Sequence, residues 1–389
     1  MFKKIILSLM TTSALAIAAP LSFEGSDGPG KGKHIVFIAN DHEYRSEETC
    51  PLIAKILAKH HGFKCTVLFG IDEDGHIKAG SAPIPNIELL KEADLLFFYT
   101  RFMTLPDEQA DALVDYFERG GPTVGLRTST HCFNGQKGKW AKLNFNHNGD
   151  DYLGGLGEQV YGNTWHKERG QQHYGQNHKQ GSTVTPISGT QHPIFTGLTP
   201  FHVYSGAYTS RPPAGSTPLL QVQVLNTFNP STEIDTKKPI VNAGWTRDHY
   251  IAPSGAKKDA RVVYTSFGAS EDLKDESARR FLVNSTYWAL GLEDHIKANS
   301  SVDFVGGFSP SPYTTGSFYR ENVSPSELAG WESSVMPAEA KFGGITGIDK
   351  RRKSRIYNVL KQRPKTVSLI KSYDPEFDLE SLLTAPNKK

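Results

Sequence analysis

Cysteine is scarce in this 389-residue chain, which has only Cys50, Cys65 and Cys132. An odd set of three allows one disulfide at most, with Cys50 to Cys65 as one option, and excludes a disulfide-held scaffold or a paired-cysteine zinc site. A dominant charge is also missing. Against 41 acidic residues stand 43 basic ones, a formal net charge of +2, so there is no field to draw in nucleic acid and no nucleic-acid partner is expected. Long apolar runs are confined to the start of the chain. There Lys3 and Lys4 precede an apolar stretch from Ile5 to Ala19, with small residues at Ala16 and Ala18. This is the make-up of a secretory signal peptide, and it is shorter than the roughly 20 residues of a spanning helix. Residues 1–19 therefore read as a signal peptide, and the mature chain as secreted or periplasmic without a membrane partner. No glycine-rich phosphate fingerprint follows the first strand, where Asn40-Asp41-His42-Glu43 stands instead, so no nicotinamide is expected.

What is present is an alternation of strands and helices. Residues 20–32 read as a Gly-rich linker. His34 to Ala39 is short, apolar and β-branched, the pattern of a buried strand. Ser46 is placed to cap the helix that follows, with Glu47 and Glu48 at its positive end and Leu52, Ile53, Ile56 and Leu57 at helical spacing. Strands are expected at Lys64 to Phe69, Leu95 to Tyr99 and Pro122 to Leu126, and a helix at Pro106 to Glu118. After a long Gly-, Asn- and His-rich region with strand-like pieces, Arg261 to Phe267 reads as a strand and Ser277 to Leu290 as a closing helix. Continuously apolar strands between helices imply a mostly parallel sheet covered on both faces, a doubly wound α/β fold. Its ligands bind beyond the carboxyl ends of the strands, so the loops beginning at Asn40, Thr100 and Arg127 are where chemistry is expected. One domain is read over 33–295. The aromatic-bearing extension over 296–389 is expected to pack on it before a flexible tail, with Lys350 to Arg355 as a solvated charge run.

Several segments together resemble the trehalose-utilisation (ThuA-like) family, a branch of the class I glutamine-amidotransferase-like fold. They are the histidine-bearing loop after the first strand, Gly125-Leu126-Arg127-Thr128-Ser129-Thr130, Leu153-Gly154-Gly155, His192-Pro193-Ile194, Trp245, Arg261-Val262-Val263-Tyr264-Thr265-Ser266 with Gly268, and Trp288-Ala289-Leu290-Gly291. The resemblance implies a flavodoxin-like sheet and a role in the metabolism of sugars through keto-sugar intermediates. At the strand-to-helix elbow, amidotransferases of this fold carry a nucleophilic cysteine two residues after a glycine. Here Arg127 stands there, and guanidinium is neither nucleophile nor base, so glutamine amidotransferase chemistry is not expected. The chain also departs from related sequences at Arg127 and Ala269, where they often carry histidine.

The candidates for chemistry follow from these loops. His42, Glu43, Arg127 and His131 are the expected catalytic set: imidazoles to move protons, a carboxylate to assist, and a cation to hold developing charge. Asp41, Arg101, Ser129, Trp165, His166 and Trp245 are the expected substrate-binding set, with the indoles as stacking surfaces for a sugar; Tyr204 and Tyr208 offer further hydroxyls. Seven of the fourteen histidines fall between His131 and His202. Their spacing matches no zinc signature, so no cofactor is assigned, although a divalent metal is open. The reading is an extracytoplasmic protein that processes a small carbohydrate by hydrolysis or isomerisation. The alternative is a non-catalytic carbohydrate-binding or partner protein that keeps the fold without the nucleophile.

Overall fold

The computed structural model describes residues 19–175, 179–313, 322–335, 357, 360–362, 364–373 and 379–380. Residues 1–18 of the segment read as a signal peptide, the Lys350 to Arg355 run and most of the expected flexible tail lie outside them. Among the described residues there are fourteen strands. The first five are β1 (Leu21–Glu24), β2 (His34–Asn40), β3 (Lys64–Phe69), β4 (Leu95–Thr100) and β5 (Thr123–Leu126). After them come β6 (His173–Tyr174), β7 (Ser182–Pro186), β8 (Phe201–Val203), β9 (Ala207–Tyr208), β10 (Thr217–Val224), β11 (Val241–Arg247), β12 (Tyr250–Ile251), β13 (Lys257–Lys258) and β14 (Val262–Thr265). The principal helices are α1 (Ser46–His61), α2 (Asp107–Glu118) and α3 (Glu276–Ala289).

Ten strands form one sheet in the order β1-β3-β2-β4-β5-β14-β11-β10-β7-β8. The five from β3 to β14 are parallel neighbours, and the added strands at both ends pair antiparallel. This is the doubly wound α/β sheet with additions. Strand β2 explains why it is covered twice: Ile35, Phe37 and Ala39 join the apolar cluster of α1 and α3, while Val36 and Ile38 join the one that includes α2. Each face must be buried because successive side chains point to opposite sides.

Three local expectations are corrected. The segment read as a linker contains β1, whose Leu21 and Phe23 turn inward and whose Ser22 and Glu24 face outward, pairing antiparallel to β3. Its period of two, not its glycine content, decided its state. Ser46 does not cap α1: its hydroxyl accepts from the Asp41 amide at 2.8 Å and bonds the Asp41 carbonyl at 3.1 Å, and the residue before the helix is Arg45, left-handed at φ 66°. Cys50 and Cys65 are buried and unbonded, as is Cys132. Burial pushes the Cys50 and Cys65 thiols well above their usual range.

The described part of the extension up to Val335 packs on the core. Val302, Tyr313, Val323 and Leu328 are buried, Trp331 lies 5.7 Å from the Phe23 ring, and the Ile77 amide donates to the Val323 carbonyl at 2.8 Å. His61, at the end of α1, is held between the Tyr287 hydroxyl and the Ser301 carbonyl, both at 2.9 Å. Burial lowers its pKa from 6.5 to about 4. The unfolded chain therefore binds the extra proton first as pH falls. This contribution to stability is complete above about pH 6.5 and is lost on the way down to about 4. Urea unfolding should show a loss of about 2 kcal/mol between pH 6.5 and 5 from this residue, and a His61→Asn variant should lack that part of the slope.

Candidate functional site

The loops after β2, β4 and β5 meet as expected at the carboxyl end of the sheet. Each contains a left-handed non-glycine residue: Arg45, Phe102 and Arg127 have φ of 66°, 49° and 43°. Non-glycine residues in this region cost free energy and collect where a site dictates the backbone.

The loop after β2 is organised by Asp41. One carboxylate oxygen accepts from the amides of Glu43 and Tyr44 at 2.7 and 2.5 Å, and the other from the Thr128 hydroxyl at 2.5 Å. Asp41 thus ties the first loop to the β5 elbow rather than facing a ligand. Arg101, at the exit of β4, lies between two expected partners: its Nε is 3.1 Å from the Glu43 carboxylate and its Nη1 is 2.6 Å from His42 Nε2. Because guanidinium only donates, His42 Nε2 accepts and its lone pair is engaged. Burial, and then the adjacent Arg101 working against the pull of Asp41, leave the His42 pKa below its usual value. The guanidinium also lies 4.4 Å above the Phe102 ring.

At the β5 elbow the arginine has a different task from the expected one. Arg127 is fully buried. Its guanidinium donates to the Ser205 carbonyl at 2.7 Å, the Ser205 hydroxyl at 3.2 Å and the Ser266 carbonyl at 2.5 Å. Its faces are covered by Tyr44 at 3.9 Å and Tyr208 at 4.3 Å. It is the floor beneath the crevice, joining the elbow to the loops after β8 and β14. Ser129 is likewise internal, donating to the Phe98 carbonyl at 2.6 Å. Trp245 is buried in the core, its indole N–H on the Tyr161 carbonyl at 2.9 Å and its ring 4.6 Å from Tyr264. It offers no surface for a sugar to stack on.

His131 ends the short helical turn that starts at Arg127 and is 2% exposed. Phe102 and Trp165 each lie 5.1 Å from its ring and Tyr208 at 6.3 Å. Trp165 in turn lies 4.9 Å from His173 and 5.3 Å from Tyr208. Burial, reinforced by the cations Arg101 and Arg127, holds the His131 imidazole well below its normal pKa, so it is neutral at neutral pH. A half-buried indole, an exposed imidazole at His173 and the half-buried Arg101 thus surround a buried neutral imidazole. His166 is beside Trp165 but serves its own turn, its Nδ1 accepting from the amides of Glu168 and Arg169 at 3.2 and 3.3 Å.

His42, Glu43, Arg101, His131 and Trp165 therefore form one connected cluster with Phe102 at the carboxyl end of the sheet, while Arg127, Asp41 and Ser129 are held by internal hydrogen bonds and Trp245 is buried in the core. Phe102, Thr130, Gln171 and Ser205 were not read as parts of the site. Only Phe102 carried a sequence signal, its place directly after Arg101 at a strand exit. Among the described residues, the group of three potential metal ligands close enough to share one ion is Asp72, Asp74 and His76, in the loop after β3, away from the clustered histidines.

Solved structures to which the chain shows similarity include a ThuA-like protein from Parabacteroides merdae, at 14% identity and TM-score 0.41 over 67% of this chain and 90% of that one. Another is the N-terminal domain of mmIFT52, at 10% identity and TM-score 0.31, covering 66% of this chain and 97% of that one. The exo-beta-1,4-mannosidase Op5Man5 from Opitutaceae bacterium strain TAV5 matches at 10% identity and TM-score 0.30, over 68% of this chain and 36% of that one. No curated protein matches the chain. A family model, ThuA, described as trehalose utilisation, matches residues 34–289, which is well over half of the sequence, and the chain belongs to that family.

Proposed function

We propose that this protein is a secreted or periplasmic enzyme that moves a proton beside the carbonyl of a keto-sugar, with His131 as the base and Arg101 holding the charge that develops on the carbonyl oxygen. The observation that carries the reading is the buried, neutral imidazole of His131 under a rim of Phe102, Trp165 and His173, with a guanidinium alongside. A neutral imidazole accepts a proton at neutral pH, and a half-buried indole suits the apolar face of a sugar ring. In the step itself the base takes the proton from the carbon next to the carbonyl, and the electron pair moves to the oxygen as an enediolate. The hydroxyl proton on that carbon then passes to the former carbonyl oxygen, and return of the first proton from the base to the former carbonyl carbon, with the new carbonyl forming where the hydroxyl was, completes an isomerisation.

Hydrolysis by a pair of carboxylic groups is less well supported, since it needs one acid and one free carboxylate across the bond. Asp41 already accepts three hydrogen bonds and Glu43 is paired with Arg101. The sugar class itself rests on the family, and the extracytoplasmic location on the first 19 residues. Among the described residues no helix is long and apolar enough to cross a membrane.

Liquid chromatography with mass spectrometry in deuterium oxide, of the purified mature protein with a panel of disaccharides and their 3-keto derivatives, with and without divalent metals, tests this reading. An isomer shares its substrate's mass and is told apart by retention and by solvent deuterium taken up at carbon. Isomerised product from a keto-sugar is the expected result. Saturable binding without turnover would replace it with the carbohydrate-binding alternative.

A further inference from the structure

The residues behind His131 form a connected polar chain that the proposed proton transfer does not itself require. Thr130 Oγ1 lies 3.1 Å from His131 Nδ1 and 3.2 Å from the Arg127 carbonyl, and the Gln171 amide donates to it at 2.5 Å. The other end of Gln171 is fixed as well: its carbonyl oxygen faces the hydroxyls of Ser210 at 3.2 Å and Tyr264 at 3.1 Å. Thr130 and Gln171 are fully buried, so water does not take over these roles.

We infer that Thr130, oriented by Gln171, is a positioning residue that fixes His131 as the Nδ1–H tautomer and so turns the Nε2 lone pair to the crevice. A hydroxyl has one hydrogen and two lone pairs. Thr130 gives its hydrogen to the Arg127 carbonyl, three residues back, and its lone pairs receive the Gln171 amide and the His131 Nδ1–H. Nε2, which has no hydrogen-bond partner among the described residues, is left as the acceptor. The tautomer of a histidine is set by the bond its other nitrogen makes, and a base with the wrong tautomer presents a proton where a lone pair is needed.

The inference rests on His131 as the proton-moving group, but its test does not depend on finding a substrate. Long-range proton–nitrogen spectra of the full mature chain, labelled with nitrogen-15 histidine and free of sugar, report the tautomer directly. A His131→Gln variant identifies the signal. Wild type is expected to show Nδ1–H and Thr130→Ser to keep it. Thr130→Val, which preserves shape and removes the acceptor, is expected to release the ring to Nε2–H or a mixture and to lower turnover of an accepted keto-sugar about a hundredfold. An Nε2–H ring in wild type, or an unchanged tautomer in a folded Thr130→Val protein, overturns the inference whatever the activity. Should Thr130→Val fail to fold, the wild-type and Thr130→Ser spectra still decide it. An absence of turnover with the Nδ1–H tautomer present would overturn the proposed reaction and leave the tautomer assignment standing.

Discussion

A His131→Gln variant is expected to lose about 10²–10⁴ in kcat on a keto-sugar substrate, with KM changed by no more than about threefold. The asymmetry follows from the site's division of labour. In the proposed reaction, affinity for the sugar comes from surfaces that the variant keeps, namely Trp165, Phe102 and Arg101, which cluster around His131. Glutamine fills much of the same space and still hydrogen-bonds, but it cannot accept a proton from carbon. Steady-state kinetics with single-turnover controls would measure both terms. The wild-type pH profile supplies a second check. Burial keeps His131 neutral well below the ordinary histidine pKa of 6.5, so the acid limb of kcat/KM should fall well below pH 6.5. An acid limb at or above that value, or a His131→Gln protein with normal kcat, would mean that another group takes the proton.

Arg127→Ala is expected to cost about 3–5 kcal/mol of folding stability, the largest effect of any single substitution at the site. The guanidinium is fully buried and bonded at three oxygens, those of the Ser205 carbonyl, the Ser205 hydroxyl and the Ser266 carbonyl. Removing it leaves two carbonyls without their donor and opens a gap between the Tyr44 and Tyr208 rings. Asp272, fully buried next to this network and also bonded to the Ser205 hydroxyl at 2.5 Å, loses the nearby positive charge. Arg127→Lys should recover only part of the loss, since an ammonium group cannot lie flat between two rings while reaching both carbonyls. Urea unfolding by linear extrapolation measures the difference. A substrate-gripping arginine would behave in the opposite way, with stability near wild type and sugar affinity lost.

The two predictions separate what each arginine and histidine does in a site whose members look interchangeable on paper. Arg101 and Arg127 both follow apolar strands, and both are candidates to hold charge on a substrate. One is half-buried over the Phe102 ring and the other fully buried between the Tyr44 and Tyr208 rings. His42 and His131 are both imidazoles in exit loops, yet the lone pair of His42 is occupied by Arg101 while that of His131 is directed by a hydroxyl behind it.

The sequence by itself determined the parallel core and where its site lies. Runs such as His34 to Ala39 and Leu95 to Tyr99 are apolar throughout, which only a sheet buried on both faces accommodates, and such a sheet places its loops at one end. Arg127 in place of a cysteine at the elbow is likewise a reading of the sequence, and it is the reason amidotransferase chemistry is not expected there. Tertiary structure alone decided which polar residues face the crevice. Asp41, Ser129 and Arg127 have the right types and positions for a site, but their hydrogen bonds are made to distant backbone, such as the Ser205 and Ser266 carbonyls, that no local pattern identifies. Trp245 sits in an eligible strand, yet pairing between β11 and β14 sets its ring against Tyr264 in the core. The partners of a buried polar group are chosen by the whole fold, because every donor and acceptor removed from water must find its match wherever the chain brings one.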